Sequence, residues 1–138
     1  MTHSHEFTQA VVLGAGLGTR LRPMTHHLPK PGVPLAHVPV AAHTIAHLLS
    51  AGVRDICVNT HYLAEALEAT LPHHVPRGLT LRFSREDRLL GTGGGIRAAW
   101  ARLDPSRPLL VMNGDILFRP DLKAAIAAHG ERDALATM

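Results

Sequence analysis

The residues with the clearest chemical potential lie in one run, Leu13 to Pro31, reading LGAGLGTRLRPMTHHLPKP. Gly14, Gly16 and Gly18 remove side chains where a backbone turns sharply after an apolar segment. Their peptide N–H groups are then free to approach phosphate oxygens, with Leu13 and Ala15 completing the turn. Thr19 adds a hydroxyl donor, and Arg20 can grip phosphate with a planar fork. Lys30 sits between Pro29 and Pro31 on a stiff backbone, a suitable place for an ammonium where charge develops on a transferring phosphoryl group. A glycine turn among solvated basic residues would account for the glycines alone. It does not account for glycines, Arg20 and a Pro-Lys-Pro clamp together.

Two familiar phosphate motifs fail on this run. A Walker loop needs Gly-Lys-Ser/Thr, whereas Gly18 is followed by Thr19 and Arg20. The dinucleotide fingerprint wants a third glycine where Thr19 stands, and an acidic residue ending the second strand, which instead ends Asn59-Thr60-His61. A nicotinamide-binding oxidoreductase domain is thereby the weaker alternative. Further along, Asp115 follows Asn113-Gly114 and can face a ligand crevice as an oxygen ligand for Mg²⁺, or serve as an ordinary turn aspartate. Gly91-Thr92-Gly93-Gly94-Gly95 allows very close backbone approach to a ligand, or answers a need for positive φ. His43 and His47 are spaced i, i+4, but Thr44 stands where a zincin would carry glutamate.

The elements that must position these groups alternate strand and helix. Strands are predicted at 10–13, 55–59, 79–83 and 109–112, with the start of another at 134–138. Helices are predicted at 40–50, 63–71, 96–103 and 120–129, the third opened by its glycines, with Trp100 facing the core and Asp121 in the first turn of the fourth. Such alternation implies right-handed crossovers and a largely parallel sheet covered on both faces, a Rossmann-like three-layer α/β sandwich. Ligands in such sheets bind beyond the carboxyl ends of the strands. The chemically rich segments follow the first and fourth predicted strands, the pair expected to flank the switch point. Arg82, Arg85 and Arg88 read as solvated.

Composition agrees with one domain. The chain has 138 residues, 46% hydrophobic and 18% charged, enough apolar material for a core. No run approaches the ~20 apolar residues of a membrane span. Aromatics are 4%, and the twelve arginines are spread along the chain, which argues against a nucleic-acid partner and leaves a small anionic ligand. The single cysteine, Cys57, forms no internal disulfide, so a reducing cytoplasm is expected and Cys57 is assigned to strand packing. Residues 1–8 read as a mobile tail and 1–138 as one nucleotide-binding part.

The segment Gly16-Leu17-Gly18-Thr19-Arg20-Leu21-Arg22-Pro23-Met24-Thr25, followed by Pro29-Lys30-Pro31, strongly resembles the signature of the sugar-1-phosphate nucleotidylyltransferases. The resemblance continues in order through Val58-Asn59-Thr60-His61, Leu90 to Ile96 and Asn113-Gly114-Asp115. It implies transfer of a nucleotidyl group from a nucleoside triphosphate to a sugar 1-phosphate, releasing pyrophosphate. By the same resemblance Gly18, Thr19 and Arg20 hold the triphosphate, Arg20 and Lys30 are catalytic, Gly93 and Gly94 lie against the base, and Asp115 binds Mg²⁺. Leu90-Gly91-Thr92 is similar to the mannose-1-phosphate guanylyltransferase branch, and Thr92 to Ile96 to the N-acetylmuramate-1-phosphate uridylyltransferase branch, which leaves the base open. Members of the family are substantially longer. The chain therefore reads as the N-terminal half, with a sheet incomplete on its C-terminal side, no candidate for the family's second metal-binding aspartate, and an edge able to take a partner chain or a second copy. A non-catalytic nucleotide or sugar-nucleotide binding module is the alternative.

Overall fold

A computed structural model describes residues 7–132 and 134–138. The chain forms β1 (Gln9–Leu13), three 3-10 turns between residues 19 and 32, a β2–β3 hairpin (Pro34–Leu35, Val38–Pro39), α1 (Val40–Ser50), β4 (Asp55–Thr60), α2 (Ala64–Thr70), β5 (Thr80–Arg85), α3 (Gly91–Trp100), β6 (Leu110–Asn113) and α4 (Leu122–Gly130). Four strands make one parallel sheet in the order β5-β4-β1-β6, with Val11 opposite Cys57 on one side and Val111 on the other. The first strand is central because its residues can be buried on both faces: Ala10, Val11 and Val12 are fully buried.

The two faces of β1 alternate, as a period of two requires. Ala10 and Val12 join Ile56 and Val58 in the larger core, packed with Ile45 and Leu48 of α1, Leu67 of α2 and Leu122 of α4. Val11 and Cys57 point the other way, onto Ala99 of α3 and Leu103 just beyond it. The result is the expected three-layer α/β sandwich. Its sheet is open: β6 is an edge strand, and Val111 on it is 41% exposed. No helix among the described residues is long and apolar enough to cross a membrane.

Several elements differ from the sequence-based expectation. Residues 134–138 form no strand, and the side chains of Leu135 and Met138 are fully exposed. A strand needs a neighbour for its backbone groups, and this run pairs with none. The glycines at 91–95 do not precede α3 but lie within its first turns, with Gly91 at φ +72° where the helix begins. This rotates the buried stripe of α3 onto Gly95, Ala99 and Leu103, leaving Trp100 38% exposed instead of in the core. Leu63 lies outside α2, at φ 50°.

Phe7 and Thr8, the last two residues of the stretch read as a tail, are tied to the fold. Residues 1–6, including His3 and His5, lie outside the described residues. Phe7 is buried edge-on against His129, with ring centroids 5.4 Å apart. The carbonyl of Thr8 accepts the N–H groups of Arg54 and Asp55 at 2.8 and 3.0 Å.

Two arginines read as solvated are paired. Arg82 bonds Asp55 across β4 and β5, and Arg85 donates to Glu68 of α2 at 2.8 Å while Arg88 stays exposed. The hydrogen bond from Arg85 holds the Glu68 carboxyl below its usual range.

Cys57 has no accessible surface, and burial pushes its thiol up to about 11. The thiolate is the reactive form, so the native chain should resist alkylation by iodoacetamide at pH 8 and react fully once unfolded in denaturant. Mass spectrometry of the adduct checks this. Rapid native labelling would contradict the packing of Cys57 beneath α3.

Candidate functional site

The exits of β1, β4, β5 and β6 converge on one cleft because the strands are parallel and end at one level. Gly14 leaves β1 directly over β4. Its N–H donates to Asn59 Oδ1 at 2.7 Å, and a Cβ there would stand 2.9 Å from the Asn59 carbonyl oxygen. At Gly18 the chain adopts φ 64°, and a Cβ would meet Thr25 Cγ2 at 2.9 Å. Glycine is thus required twice, by close approach and by a left-handed turn. Thr25, fully buried, closes the turn by donating to the Gly18 carbonyl at 2.7 Å, and Tyr62 donates to the Thr25 carbonyl at 2.8 Å.

Lys30 starts the third 3-10 turn, between buried Pro29 and Pro31. Its Nζ lies 2.5 Å from Asp115 Oδ2, and the two side chains are 34% and 26% exposed. Asp115 is placed by the end of β6: the Gly114 N–H donates to the Leu13 carbonyl at 2.8 Å, and a Cβ on Gly114 would stand 2.8 Å from Val12 Cγ1. The prolines on one strand exit and the glycine on the other thus bring together a cation and a carboxylate more than eighty residues apart in sequence.

The cleft has a volume of about 250 Å³. Leu13, Ala15 and Gly16 form one wall, Leu89, Gly91 and Thr92 the facing one, with Asn59, Glu86, Asn113 and Asp115 between. Glu86 is 5% exposed. It accepts the Asn59 Nδ2–H at 2.8 Å through Oε1 and the Leu90 N–H at 3.0 Å through Oε2. A buried carboxylate with both oxygens occupied by donors is a stable arrangement.

The expected site residues divide into groups. Leu13, Ala15, Gly16 and Asp115 line the cleft, and Gly14 lies buried at its base. Lys30 reaches it through Asp115. Gly18, Thr19 and Arg20 do not line it; Thr19 and Arg20 are exposed on the adjoining 3-10 turn. Gly93 and Gly94 also lie off the lining: Gly93 faces open space, and a Cβ on Gly94 would stand 2.8 Å from Leu90 Cβ, so the wall is built by Gly91 and Thr92. Asn59 and Glu86 were missed as site residues. Asn59 was readable as the end of a strand level with Gly14, whereas Glu86, within Ser84-Arg85-Glu86-Asp87-Arg88, carries no signal of burial in sequence.

The histidine pair is not a metal centre. His43 Nε2 lies 3.2 Å from the Leu35 carbonyl and His47 Nε2 lies 2.8 Å from the Pro120 carbonyl, so these nitrogens act as donors. Among the described residues no group of three or more His, Cys, Asp or Glu could hold a metal. A single carboxylate at a cleft still suits Mg²⁺, which keeps several waters and draws other ligands from substrate phosphates. Asp115 fits that pattern.

Comparison with known proteins places this geometry in a family. The sequence matches the profile described as Nucleotidyl transferase over residues 9–138. It is 36% identical to mannose-1-phosphate guanylyltransferase of Mycobacterium tuberculosis over 94% of this chain and 36% of that protein. It is 39% identical to N-acetylmuramate alpha-1-phosphate uridylyltransferase of Caulobacter vibrioides over 86% of this chain and 50% of that protein. Among solved structures, HddC from Yersinia pseudotuberculosis, complexed with GMP-PN, superposes with a TM-score of 0.76 at 31% identity, covering 87% of this chain and 53% of that one. UDP-glucose pyrophosphorylase from Acinetobacter baumannii shares the fold, with a TM-score of 0.80 at 22% identity. The chain spans about a third to a half of the length of these relatives. The family match covers nearly every residue, and the chain is a member of the nucleotidyl transferase family.

Proposed function

We propose that this chain is the nucleotide-binding part of a sugar-1-phosphate nucleotidylyltransferase, which transfers a nucleotidyl group from a nucleoside triphosphate to a sugar 1-phosphate and releases pyrophosphate. The observation that carries the reading is the contact of Lys30 with Asp115 at the mouth of a cleft walled by the glycine turn. A cation and a carboxylate at such a place suit a phosphate and a phosphate-bound divalent cation. The relatives named above, guanylyl- and uridylyltransferases of sugar 1-phosphates, support the substrate class.

In this reading the triphosphate lies along the turn from Gly14 to Arg20. Exposed Thr19 and Arg20 stabilise the departing pyrophosphate, and Lys30 neutralises charge around the α-phosphate. The base rests toward the α3 wall, near Gly93 and Gly94. Asp115 would hold Mg²⁺, which would supply neutralisation of phosphate charge. Attack by the sugar phosphate oxygen needs alignment and charge stabilisation, not a protein nucleophile. Buried Cys57 has no part in it. A lone reduced cysteine also supports placing the protein in the cytoplasm.

Thermal unfolding with ATP, CTP, GTP, UTP and dTTP, each with and without Mg²⁺, tests this. A ligand at about 100 times its Kd stabilises the native state by ~2.7 kcal/mol, a rise of several degrees for a domain of this size. We expect such a rise with one base, larger with Mg²⁺. A cooperative transition that none of the five moves would remove the reading.

A further inference from the structure

The sheet has two edges, and the sequence treats them differently. The β5 edge carries Arg82 and Arg85, engaged by Asp55 and Glu68. Charged residues on an edge strand discourage another strand from adding to it. The β6 edge, Leu110-Val111-Met112-Asn113, carries no charge, and three exposed apolar residues, Ile116, Leu117 and Phe118, follow it. Among the described residues no strand pairs with its outer side. The Gly114 N–H donates to the Leu13 carbonyl, so the even-numbered residues of β6 turn their backbone groups toward β1. Val111 and Asn113, with Leu109 just before the strand, then present theirs outward. The Asn113 carbonyl takes only a long bond from Thr44, at 3.4 Å, which leaves it a lone pair.

We propose that the β6 edge is an interface between two copies of this chain, which pair β6 with β6 antiparallel across a two-fold axis through Val111. The proposal is independent of the nucleotide-binding reading. Two-fold symmetry closes the seam on itself. The two sheets join into one of eight strands, four from each copy, and neither copy keeps an open β6 edge.

The register follows from which residues face outward, and from charge. Only odd-numbered centres bring outward backbone groups together. A seam centred on Leu109 runs into Pro105, which has no N–H to give. One centred on Asn113 sets Arg107 toward Arg119 and runs through the turn at residues 114–115. One centred on Val111 pairs Val111 with its own copy and Leu109 with Asn113, and brings Arg107 toward Asp115 of the second copy. The Arg107 side chain is more than half exposed, and its guanidinium has donors beyond those placed on Asp104 and Thr8. Opposite charges thus meet at both ends of this seam and like charges at neither. At its centre the two exposed valines cover one another, with Cα atoms about 5.5 Å apart as in any hydrogen-bonded antiparallel pair.

Sedimentation equilibrium of the full 138-residue chain over a range of concentrations tests this. It should show a reversible rise from 14.9 kDa toward twice that mass and no further. Val111→Lys places like charges on the axis, and Val111→Pro removes an outward N–H that β1 does not use. Each should weaken association about tenfold or more while the circular dichroism of the folded chain is kept. Disulfide trapping reads the register without relying on those variants. Val111→Cys should form a covalent dimer on mild oxidation, because Cα atoms about 5.5 Å apart suit a disulfide. Asn113→Cys should not, since the two residues 113 would stand roughly 14 Å apart. Cys57 is buried and does not compete. A chain that stays at monomer mass at every concentration would overturn the proposal and leave the edge to a different polypeptide. So would a dimer that survives both Val111 variants, or one trapped by Asn113→Cys and not by Val111→Cys. Growth past the dimer would overturn the closed two-fold seam.

Discussion

Lys30→Ala should lose nucleoside triphosphate affinity about 10- to 100-fold while the chain stays as stable as before, because a charge-assisted hydrogen bond to phosphate contributes about 1.5–3 kcal/mol. In the free chain Lys30 is spent on Asp115 at 2.5 Å, with both side chains about a third exposed. Exposed pairs of this kind contribute about 0–1 kcal/mol to stability, so truncation should hardly move the urea midpoint. Pyrophosphate exchange, where the whole site is assembled, should fall about 100-fold or more, since positioned cationic stabilisation acts mainly on developing charge. Asp115→Asn should separate the two halves of the contact: nucleotide binding persists, but its enhancement by Mg²⁺ is lost. Calorimetry with and without Mg²⁺, beside urea unfolding, reads both. Retention of full nucleotide affinity by Lys30→Ala would show that the Lys30–Asp115 contact is structural.

The second large effect is a change of sign within one helix. Gly95→Ala should destabilise the chain by about 3 kcal/mol, and Gly93→Ala should stabilise it by about 0.5–1 kcal/mol. At Gly95 the new Cβ meets Asn59 Nδ2 at 2.5 Å and Glu86 Oε1 at 2.8 Å. Neither atom can yield without breaking a buried hydrogen bond, so α3 shifts or the pair opens. At Gly93 nothing lies within 4 Å, the residue is helical, and added Cβ only restricts the unfolded chain. Urea unfolding of the two variants against the original measures both signs. Two stabilising alanines would show that α3 does not pack on Asn59 and Glu86 as described.

The Glu86 environment shows why part of the site was illegible. Its neighbours in sequence are Ser84, Arg85, Asp87 and Arg88, a pattern that reads as a solvated strand end. Burial comes from α3, which crosses over it because Gly95 lets the helix approach. The expectation of a glycine loop before α3 failed for the same reason: low intrinsic helix propensity was outweighed by tertiary packing. Trp100 followed, because moving the start of the helix changed which residues form its buried stripe.

What the sequence alone determined was local and periodic. Apolar runs predict the strands ending at Leu13, Asn59 and Met112, and the structure carries the latter two one residue further at their C-terminal ends. The helix over residues 40–50 follows from its apolar spacing and the stop at Gly52. The glycine turn with its Pro-Lys-Pro clamp carries the resemblance to the nucleotidyl transferase family, to which the chain belongs. What only the tertiary structure decided was long-range: Lys30 on Asp115, Gly14 on Asn59, Asn59 on Glu86, and the failure of residues 134–138 to pair. The physical reason is that periodicity reports the face a side chain occupies, while the partner it meets depends on strand order and register. The sequence carries no local record of either, and they emerge only when the sheet assembles with β1 at its centre.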